Sequence, residues 1–270
     1  RLWVLGAMTL VACALALVVG FMLDSHSKYP SLAGIDDLVL IVDWRLPRVA
    51  TAAAAGLMLA VAGTHGKTTT SSMAAMAFSD AGWDPTFAVG AAVAGLGTNA
   101  RAGRGEWFIA EADESDGSFL AYQPDVAVVT NVQPDHLDFY GDFSTVEAAY
   151  LEFAATIVDG GLLVVCADDA GSQRLGRRAS AAGRRVVRYG FADDADVRLV
   201  DPVLDGTSAR AVLVEAGVRR ELAITVPGRH NLLNAAAAYT AAAHGLGVDP
   251  QSVLDGLAAY GGTRRRFETK

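Results

Sequence analysis

The sequence predicts an α/β fold, a doubly wound and mostly parallel sheet with a phosphate-binding loop (P-loop), preceded by a membrane-like helical N-terminal segment. Three observations predict it. The chain begins with a long run, Leu2 to Leu23, that contains no charged residue. Further on, a short apolar stretch meets a glycine-rich turn and a helix start near Gly63. Beyond that turn, apolar runs of strand length alternate with helical patterns, as in a parallel sheet that is covered by helices.

The N-terminal run is long enough to cross a bilayer. At about 1.5 Å per residue, residues 2–23 span the roughly 30 Å of hydrocarbon core. No small-residue cleavage site precedes Asp24, which argues against a signal peptide. We therefore expect a transmembrane helix over residues 2–23, with a buried core helix as the alternative, and the start of a second membrane helix over residues 47–62. These segments would anchor an otherwise cytoplasmic protein to the inner face of the plasma membrane.

The segment Gly63-Thr64-His65-Gly66-Lys67-Thr68 has the composition of a phosphate-binding loop. The apolar run Leu57 to Ala62 predicts a buried strand before it, and a helix is expected after it through Phe78. At such a junction the glycines let backbone N–H groups approach phosphate oxygens, the lysine supplies charge and the hydroxyl can bind Mg²⁺. The general nucleotide motif has one more glycine, where Val61 stands here, so a glycine-rich turn of an ordinary α/β protein is the alternative.

The remaining elements follow in order along the chain. Strands are predicted at residues 108–110, 126–131, 161–167 and 186–189, and helices at 69–81, 145–158, 171–182, 231–244 and 250–260. The mainly apolar runs at 126–131 and 161–167 are typical of strands that are buried on both faces of a parallel sheet. Residues 196–226 alternate more strictly, and turn signals at Asp205-Gly206 and Ala216-Gly217 indicate antiparallel strands.

Composition restricts the class of function. The formal net charge of −8 on 270 residues, without a basic stripe that carries aromatic residues, argues against a nucleic-acid surface. The two cysteines, Cys13 and Cys166, both lie in apolar runs. Each is therefore expected to be a small buried hydrophobe rather than a disulfide partner or nucleophile, which fits a reducing, cytoplasmic setting.

Charged and polar side chains that can bind phosphate or metal follow three successive predicted strands. They are Lys67 and Thr68 after the first strand, Glu111, Asp113 and Glu114 after the second, and Asp135, His136 and Asp138 after the third. Because the carboxyl ends of parallel strands lie at one edge of a sheet, these groups are expected to converge on one phosphate–metal site. Hydroxyl and carboxylate oxygens suit Mg²⁺. Each acidic cluster by itself would be a solvated loop, but their coincidence behind a phosphate loop favours the site.

Five motifs occur in an order and spacing that resemble the Mur ligases of peptidoglycan synthesis. They are GTHGKTTT at 63–70, EADESDGSF at 111–119, TNVQPDHLDFYG at 130–141, PGRHNLLNA at 227–235 and RRRFE at 264–268. The resemblance covers residues 58–270. EADESD together with DHLD is most similar to the branch that joins L-alanine to UDP-N-acetylmuramate, and less similar to the folate-polyglutamate ligases.

The resemblance implies an ATP-dependent, ADP-forming ligation in which the muramate carboxylate becomes an acyl phosphate that the amine of L-alanine attacks. It implies catalytic roles for Lys67, Glu111 and His136, with Mg²⁺ bound by Thr68, Glu111 and His136. The residues implied in ATP binding are Gly63, Thr64, His65, Gly66, Lys67, Thr68, Thr69, His230, Asn231, Asn234 and Arg265. Those implied in binding the sugar nucleotide are Thr98, Asn99, Ser115 and Asp116. The alternative for His136 is an ordinary loop or capping histidine, and the alternative for Asn231 and Asn234 is that they are helix caps.

The first 62 residues resemble a different family, the FecCD-type permeases of iron-siderophore transport, chiefly through the phrase RLPR at 45–48 before a small-residue helix. We therefore expect three parts: a membrane-like segment at 1–57, the Mur ligase central domain at 58–263, and the start of a truncated C-terminal ligase domain at 264–270. Without a uridine-nucleotide domain before the loop, this chain is expected to bind Mg-ATP weakly and to be inactive alone. An assembly error within residues 59–63 and an authentic fusion both fit. The alternative functions are a membrane transport fragment and a non-catalytic ATP-binding fusion.

Overall fold

The computed structural model describes residues 57–264. The predicted transmembrane helix at 2–23, Cys13 and Arg265 lie outside the described residues. Within residues 57–264, no helix is long and apolar enough to cross a membrane. The predicted second membrane helix at 47–62 is wrong for its last six residues, which form a strand because parallel strands pair with them on both sides. Its earlier part lies outside the described range.

A ten-stranded sheet forms the centre of the described region. The strands of the structure are β1 (Leu57–Ala62), β2 (Thr86–Ala88), β3 (Ala92–Val93), β4 (Ala100–Arg101), β5 (Trp107–Glu111), β6 (Val126–Val129), β7 (Leu162–Cys166), β8 (Arg185–Gly190), β9 (Val197–Leu204), β10 (Ala209–Glu215), β11 (Val218–Ile224) and β12 (Thr263–Arg264). Their order in the sheet is β11-β10-β9-β8-β7-β6-β1-β5-β2-β4, while β3 and β12 form a separate pair.

The predicted strand directions are confirmed. The neighbouring strands β9-β8-β7-β6-β1-β5-β2 all run parallel, and β1 lies between β5 and β6. Strands β9, β10 and β11 are antiparallel and turn at the two predicted positions. At the first of these turns the Asp205 carboxylate accepts hydrogen bonds from the backbone N–H groups of Thr207 and Ser208. The sheet is therefore doubly wound with an antiparallel extension.

Helices cover both faces of this sheet. They are α1 (Lys67–Asp80), α2 (Leu137–Tyr140), α3 (Phe143–Ala155), α4 (Ala170–Ala181), α5 (Arg229–Thr240) and α6 (Pro250–Ala258), with a 3₁₀ turn at Ser118–Ala121 and a π turn at Ala241–Gly245. On one face, Leu59 and Val61 of β1 join a buried cluster with α1, the alanine-rich α5 and α6. On the other, the ring of Phe119 packs against Tyr150 and Phe153 of α3.

Cys166 at the end of β7 is free and buried, as expected from its apolar run. Burial raises the pKa of its thiol to about 11, so the thiol stays protonated at neutral pH.

Candidate active site

The turn between β1 and α1 requires glycine at two positions. Gly63 has φ of +129° and Gly66 has φ of +88°, conformations that other residues rarely adopt. A Cβ on Gly63 would lie 2.1 Å from Thr130 Oγ1, and a Cβ on Gly66 would lie 2.6 Å from Asn234 Oδ1. The loop is thus closely packed against the ends of two other elements, and its shape depends on both glycines.

The side chain of Asn131 holds the loop through two hydrogen bonds to the backbone of His65. Its side-chain Oδ1 accepts a hydrogen bond from His65 N at 2.8 Å, and its Nδ2 donates to His65 O at 2.8 Å. Thr130 Oγ1 also donates to His65 O, and Thr64 N donates to Asn131 O at 3.2 Å. The predicted strand at 126–131 therefore ends at Val129, because the next two residues leave the sheet to hold the loop. The N–H groups of Thr64 and His65 are engaged, so a phosphate would be bound by the N–H groups that follow.

Those following N–H groups belong to the start of α1, which has no side-chain cap. Helices α3, α4 and α6 each begin with an aspartate whose carboxylate accepts a backbone N–H; these residues are Asp142, Asp169 and Asp249. Helix α1 begins after Gly66 and α5 begins after Gly228, both without a side-chain cap hydrogen bond. The N–H groups of a first helical turn have no acceptor within the helix and carry partial positive charge. The start of α1 is therefore suited to bind an anion.

Thr68 and Glu111 are brought together beside this helix start. The parallel register pairs Val61 with Glu111, which places the carboxylate at the edge where β1 gives way to the loop. Thr68 Oγ1 donates to Glu111 Oε1 at 2.8 Å, and Gly90 N donates to Glu111 Oε2 at 2.6 Å. A hydroxyl and a carboxylate are the oxygen ligands that Mg²⁺ prefers. Within residues 57–264, no group of three His, Cys, Asp or Glu side chains could hold a metal ion, so these two ligands would need phosphate and water oxygens to complete a shell.

Lys67 is paired with Glu114, a contact that the sequence did not predict. Lys67 Nζ lies 3.0 Å from Glu114 Oε1, 2.9 Å from Oε2 and 2.9 Å from Gly63 O. Glu114 is only 2% exposed. Its backbone carbonyl accepts a hydrogen bond from the hydroxyl of Tyr140. Burial, with the nearby Glu114 charge, raises the pKa of Tyr140 to about 12, so the hydroxyl stays protonated and can donate.

His136 lies beside Glu114. It precedes α2 with a left-handed φ of 50°, and its Nε2 is 4.0 Å from Glu114 Oε1 and 3.9 Å from Asp135 Oδ2. The structure therefore brings His136 to the Lys67–Glu114 pair, as convergence at one sheet edge predicted. Two other acidic residues of the predicted clusters, Asp113 and Asp138, are exposed at this edge.

The start of α5 meets the start of α1 through Asn234. This side chain is 8% exposed, and its Oδ1 accepts a hydrogen bond from Thr70 Oγ1 at 3.3 Å. Its Nδ2 donates to Asn231 Oδ1, and Asn231 Nδ2 donates to Pro227 O. His230 is exposed. Asn234 thus supports the phosphate loop directly, whereas Asn231 and His230 lie progressively nearer to solvent.

The residues predicted to bind the sugar nucleotide lie in two loops. Asn99 O accepts a hydrogen bond from Val89 N, one residue before the Gly90 that bonds Glu111. Thr98 Oγ1 donates to Ala100 O. The loop after β5 holds Ser115, whose N–H donates to Asp113, and Asp116, whose carboxylate accepts from Ser118 N. The first loop therefore borders Glu111 through Val89 and Gly90, and the second follows Glu111 directly along the chain.

Sequence reasoning missed the supporting roles of Asn131, Gly90 and Glu114. Asn131 and Thr130 directly follow a continuous apolar run, and this switch to polar residues was the signal that could have identified them. For Gly90, a lone glycine in a small-residue stretch gives no such signal.

Comparison with known proteins matches residues 61–242 to the Mur ligase middle domain. The chain is 58% identical over 213 residues to the UDP-N-acetylmuramate–L-alanine ligase of Kineococcus radiotolerans, covering 78% of this chain and 45% of that protein. It is 47% identical over 242 residues to the ligase of the same name from Paenarthrobacter aurescens, covering 89% and 52%. The crystal structure of the UDP-N-acetylmuramate–alanine ligase of Thermotoga maritima is similar with a TM-score of 0.69 and 29% identity, over 87% of this chain and 55% of that one. The chain spans about half the length of the curated relatives it matches.

Proposed function

The chain belongs to the Mur ligase family, and from that premise we propose that it forms the ATP-binding part of a ligase that joins L-alanine to UDP-N-acetylmuramate. The observation that carries the proposal is the uncapped start of α1, with Lys67 and the Thr68–Glu111 pair beside it. The choice of substrates is supported by relatives that are 58% and 47% identical and are both named for this reaction.

We infer that the residues around α1 bind and orient the polyphosphate of ATP. The free N–H groups of the first helical turn would donate hydrogen bonds to phosphate oxygens, and the Lys67 ammonium would pair with the same oxygens. Thr130 and Asn131 hold the loop in its shape through hydrogen bonds to the backbone of His65. Phosphoryl transfer depends mainly on such positioning and on neutralising charge, so a rigid loop serves the reaction.

Thr68 and Glu111 would hold Mg²⁺, since their oxygens are adjacent and of the preferred type. Bound there, the ion would neutralise charge on the phosphates. His136 stays a prediction as a further metal ligand, and its position beside Glu114 and Asp135 is the observation that supports it. The proposed contacts of His230, Asn231 and Asn234 with the nucleoside rest on the position of α5 beside the loop.

On the acceptor side, Thr98, Asn99, Ser115 and Asp116 are proposed to bind UDP-N-acetylmuramate. Their loops border Glu111, so a sugar carboxylate held there would lie close to the phosphate end of ATP. The membrane anchor proposed for residues 2–23 is supported by the uncharged sequence alone.

A chimeric enzyme tests the proposed activity. The middle region of the Kineococcus ligase would be replaced by residues 61–242 of this chain, and phosphate release measured with UDP-N-acetylmuramate and L-alanine. Release that requires both substrates, at a rate within about tenfold of the parent enzyme, is expected. A K67A version should lose about a hundredfold or more, because it removes a charge that stabilises the transition state. A folded chimera that binds ATP but releases no phosphate with these substrates would contradict the assignment.

A further inference from the structure

We propose that Glu114 is a positioning residue that acts through Lys67. It holds the lysine ammonium through both carboxylate oxygens, and when a nucleotide binds it yields that ammonium to a phosphate oxygen. The inference rests on the proposed function in one respect, that the ligand of Lys67 is a phosphate. It adds that Glu114 competes with the phosphate for the Lys67 ammonium.

The hydrogen-bond count at Lys67 is the first observation. A lysine ammonium has three N–H donors and no acceptor. Here Nζ has three acceptors within 3.0 Å, the two carboxylate oxygens of Glu114 and the carbonyl of Gly63. All three donors of the ammonium are therefore engaged by the protein's own acceptors. A phosphate oxygen can bind it only if one of these contacts is released or shared.

The second observation is that the Glu114 side chain is buried and its backbone is held independently of Lys67. Its side chain is 3% exposed. Its backbone carbonyl accepts hydrogen bonds from Tyr140 Oη and from Gly117 N at 3.1 Å. Lys67 has a flexible stem and its side chain is 14% exposed. When a phosphate arrives, the lysine is therefore the partner that moves, and Glu114 fixes the position from which it starts.

The charge of Glu114 must oppose anion binding. The carboxylate engages the cation that phosphate needs, through both of its oxygens. A neutral amide holds an ammonium less strongly than a carboxylate does, so removing the charge should free Lys67 for phosphate and strengthen binding. Glu114→Gln keeps the shape of the side chain and one oxygen acceptor. We expect Mg-ATP to bind this variant about tenfold more tightly.

Four forms of the full 270-residue chain test the proposal: the native chain, K67M, E114Q and the double variant K67M/E114Q. The dissociation constant of Mg-ATP is measured for each by titration calorimetry. E114Q should bind about tenfold more tightly than the native chain, and the gain should fall below about twofold when Lys67 is already replaced. Unchanged or weaker binding by E114Q overturns the proposal. An equal gain in both backgrounds also overturns it, because the effect would then not pass through Lys67.

A second measurement needs no nucleotide. The chain has three lysines, Lys28, Lys67 and Lys270, so reductive methylation followed by peptide mass spectrometry resolves each one. Without ligand, Lys67 should react several-fold faster in E114Q than in the native chain, while Lys28 and Lys270 serve as internal references. Equal rates at Lys67 overturn the proposal. If E114Q does not fold, E114D is measured instead; its shorter side chain should also expose Lys67 to faster reaction.

These readouts separate the two claims. If K67M binds Mg-ATP as well as the native chain does, the proposed ATP site is wrong, whatever the methylation rates show. If K67M loses binding but E114Q changes neither affinity nor methylation, the ATP site stands and the role of Glu114 falls.

Discussion

Gly63→Ala should destabilise the protein more than an alanine at an uncrowded glycine that also has a positive φ. Gly63 leaves β1 with φ of +129°, and a Cβ there would lie 2.1 Å from Thr130 Oγ1 and 2.9 Å from Thr130 N. The backbone conformation alone costs about 1–3 kcal/mol for a non-glycine residue. Displacing the crowded neighbours adds about 1–3 kcal/mol, because one of them is backbone and cannot rotate away. We therefore expect a total loss of about 2–6 kcal/mol.

Gly82→Ala is the control for a positive φ without crowding. Gly82 follows α1 with φ of +79°, and nothing lies within 4 Å of a Cβ built on it. Its substitution should cost only the backbone term, about 1–2 kcal/mol. Urea unfolding followed by circular dichroism gives both free energies of unfolding. Equal losses of unfolding free energy in the two variants would refute the argument that Thr130 is closely packed against Gly63.

Two further substitutions test the metal ligands and the acid stability. Glu111→Gln should raise the Mg²⁺ concentration needed for ATP binding by about tenfold, since it removes the anionic oxygen beside Thr68. A Mg²⁺ titration at fixed ATP measures this, and D113N, at the exposed neighbouring carboxylate, is the control. An unchanged midpoint in Glu111→Gln would count against the metal site. Glu215→Gln should flatten the loss of stability in acid. Partial burial acts to raise the pKa of Glu215, but hydrogen bonds from Tyr239 and His244 prevail and hold it below 4.5. A carboxyl group whose pKa is lower in the folded state stabilises the fold at pH values above its pKa in the unfolded chain. That stabilisation is lost as the pH falls through its pKa in the folded state. The native chain should therefore lose more unfolding free energy below pH 4.5 than the variant does. Parallel acid-unfolding curves would contradict this.

The sequence predicted the parallel strands and their helices because their signals are local. The apolar runs around 57–62 and 161–167 and the turns at Asp205 and Ala216 lie where expected. The strands Thr86–Ala88, Ala92–Val93 and Ala100–Arg101 were missed, since two or three residues within a small-residue stretch carry no periodicity. They are strands only because a neighbour pairs with each of them.

The site shows the same contrast between features with a local sequence signal and contacts that depend on tertiary packing. Sheet topology was enough to predict that Lys67, Glu111 and His136 would converge, because parallel strand ends share an edge. It could not predict which carboxylate each would meet. Thr68 pairs with Glu111 and Lys67 pairs with Glu114, three residues further on, and that choice is set by the turn after β5. The contact of Asn234 with the loop likewise depends on how α5 packs, across 164 residues of sequence from Thr70.

Titration of Mg-ATP into the native chain, K67A and R177A tests the ATP site most directly. Arg177 lies on the exposed surface of α4, so R177A removes one positive charge away from the loop. The native chain and R177A should bind Mg-ATP with the same affinity, and K67A should bind at least about tenfold more weakly. Equal binding by all three forms would show that the loop between Gly63 and Thr68 does not bind the phosphates of ATP.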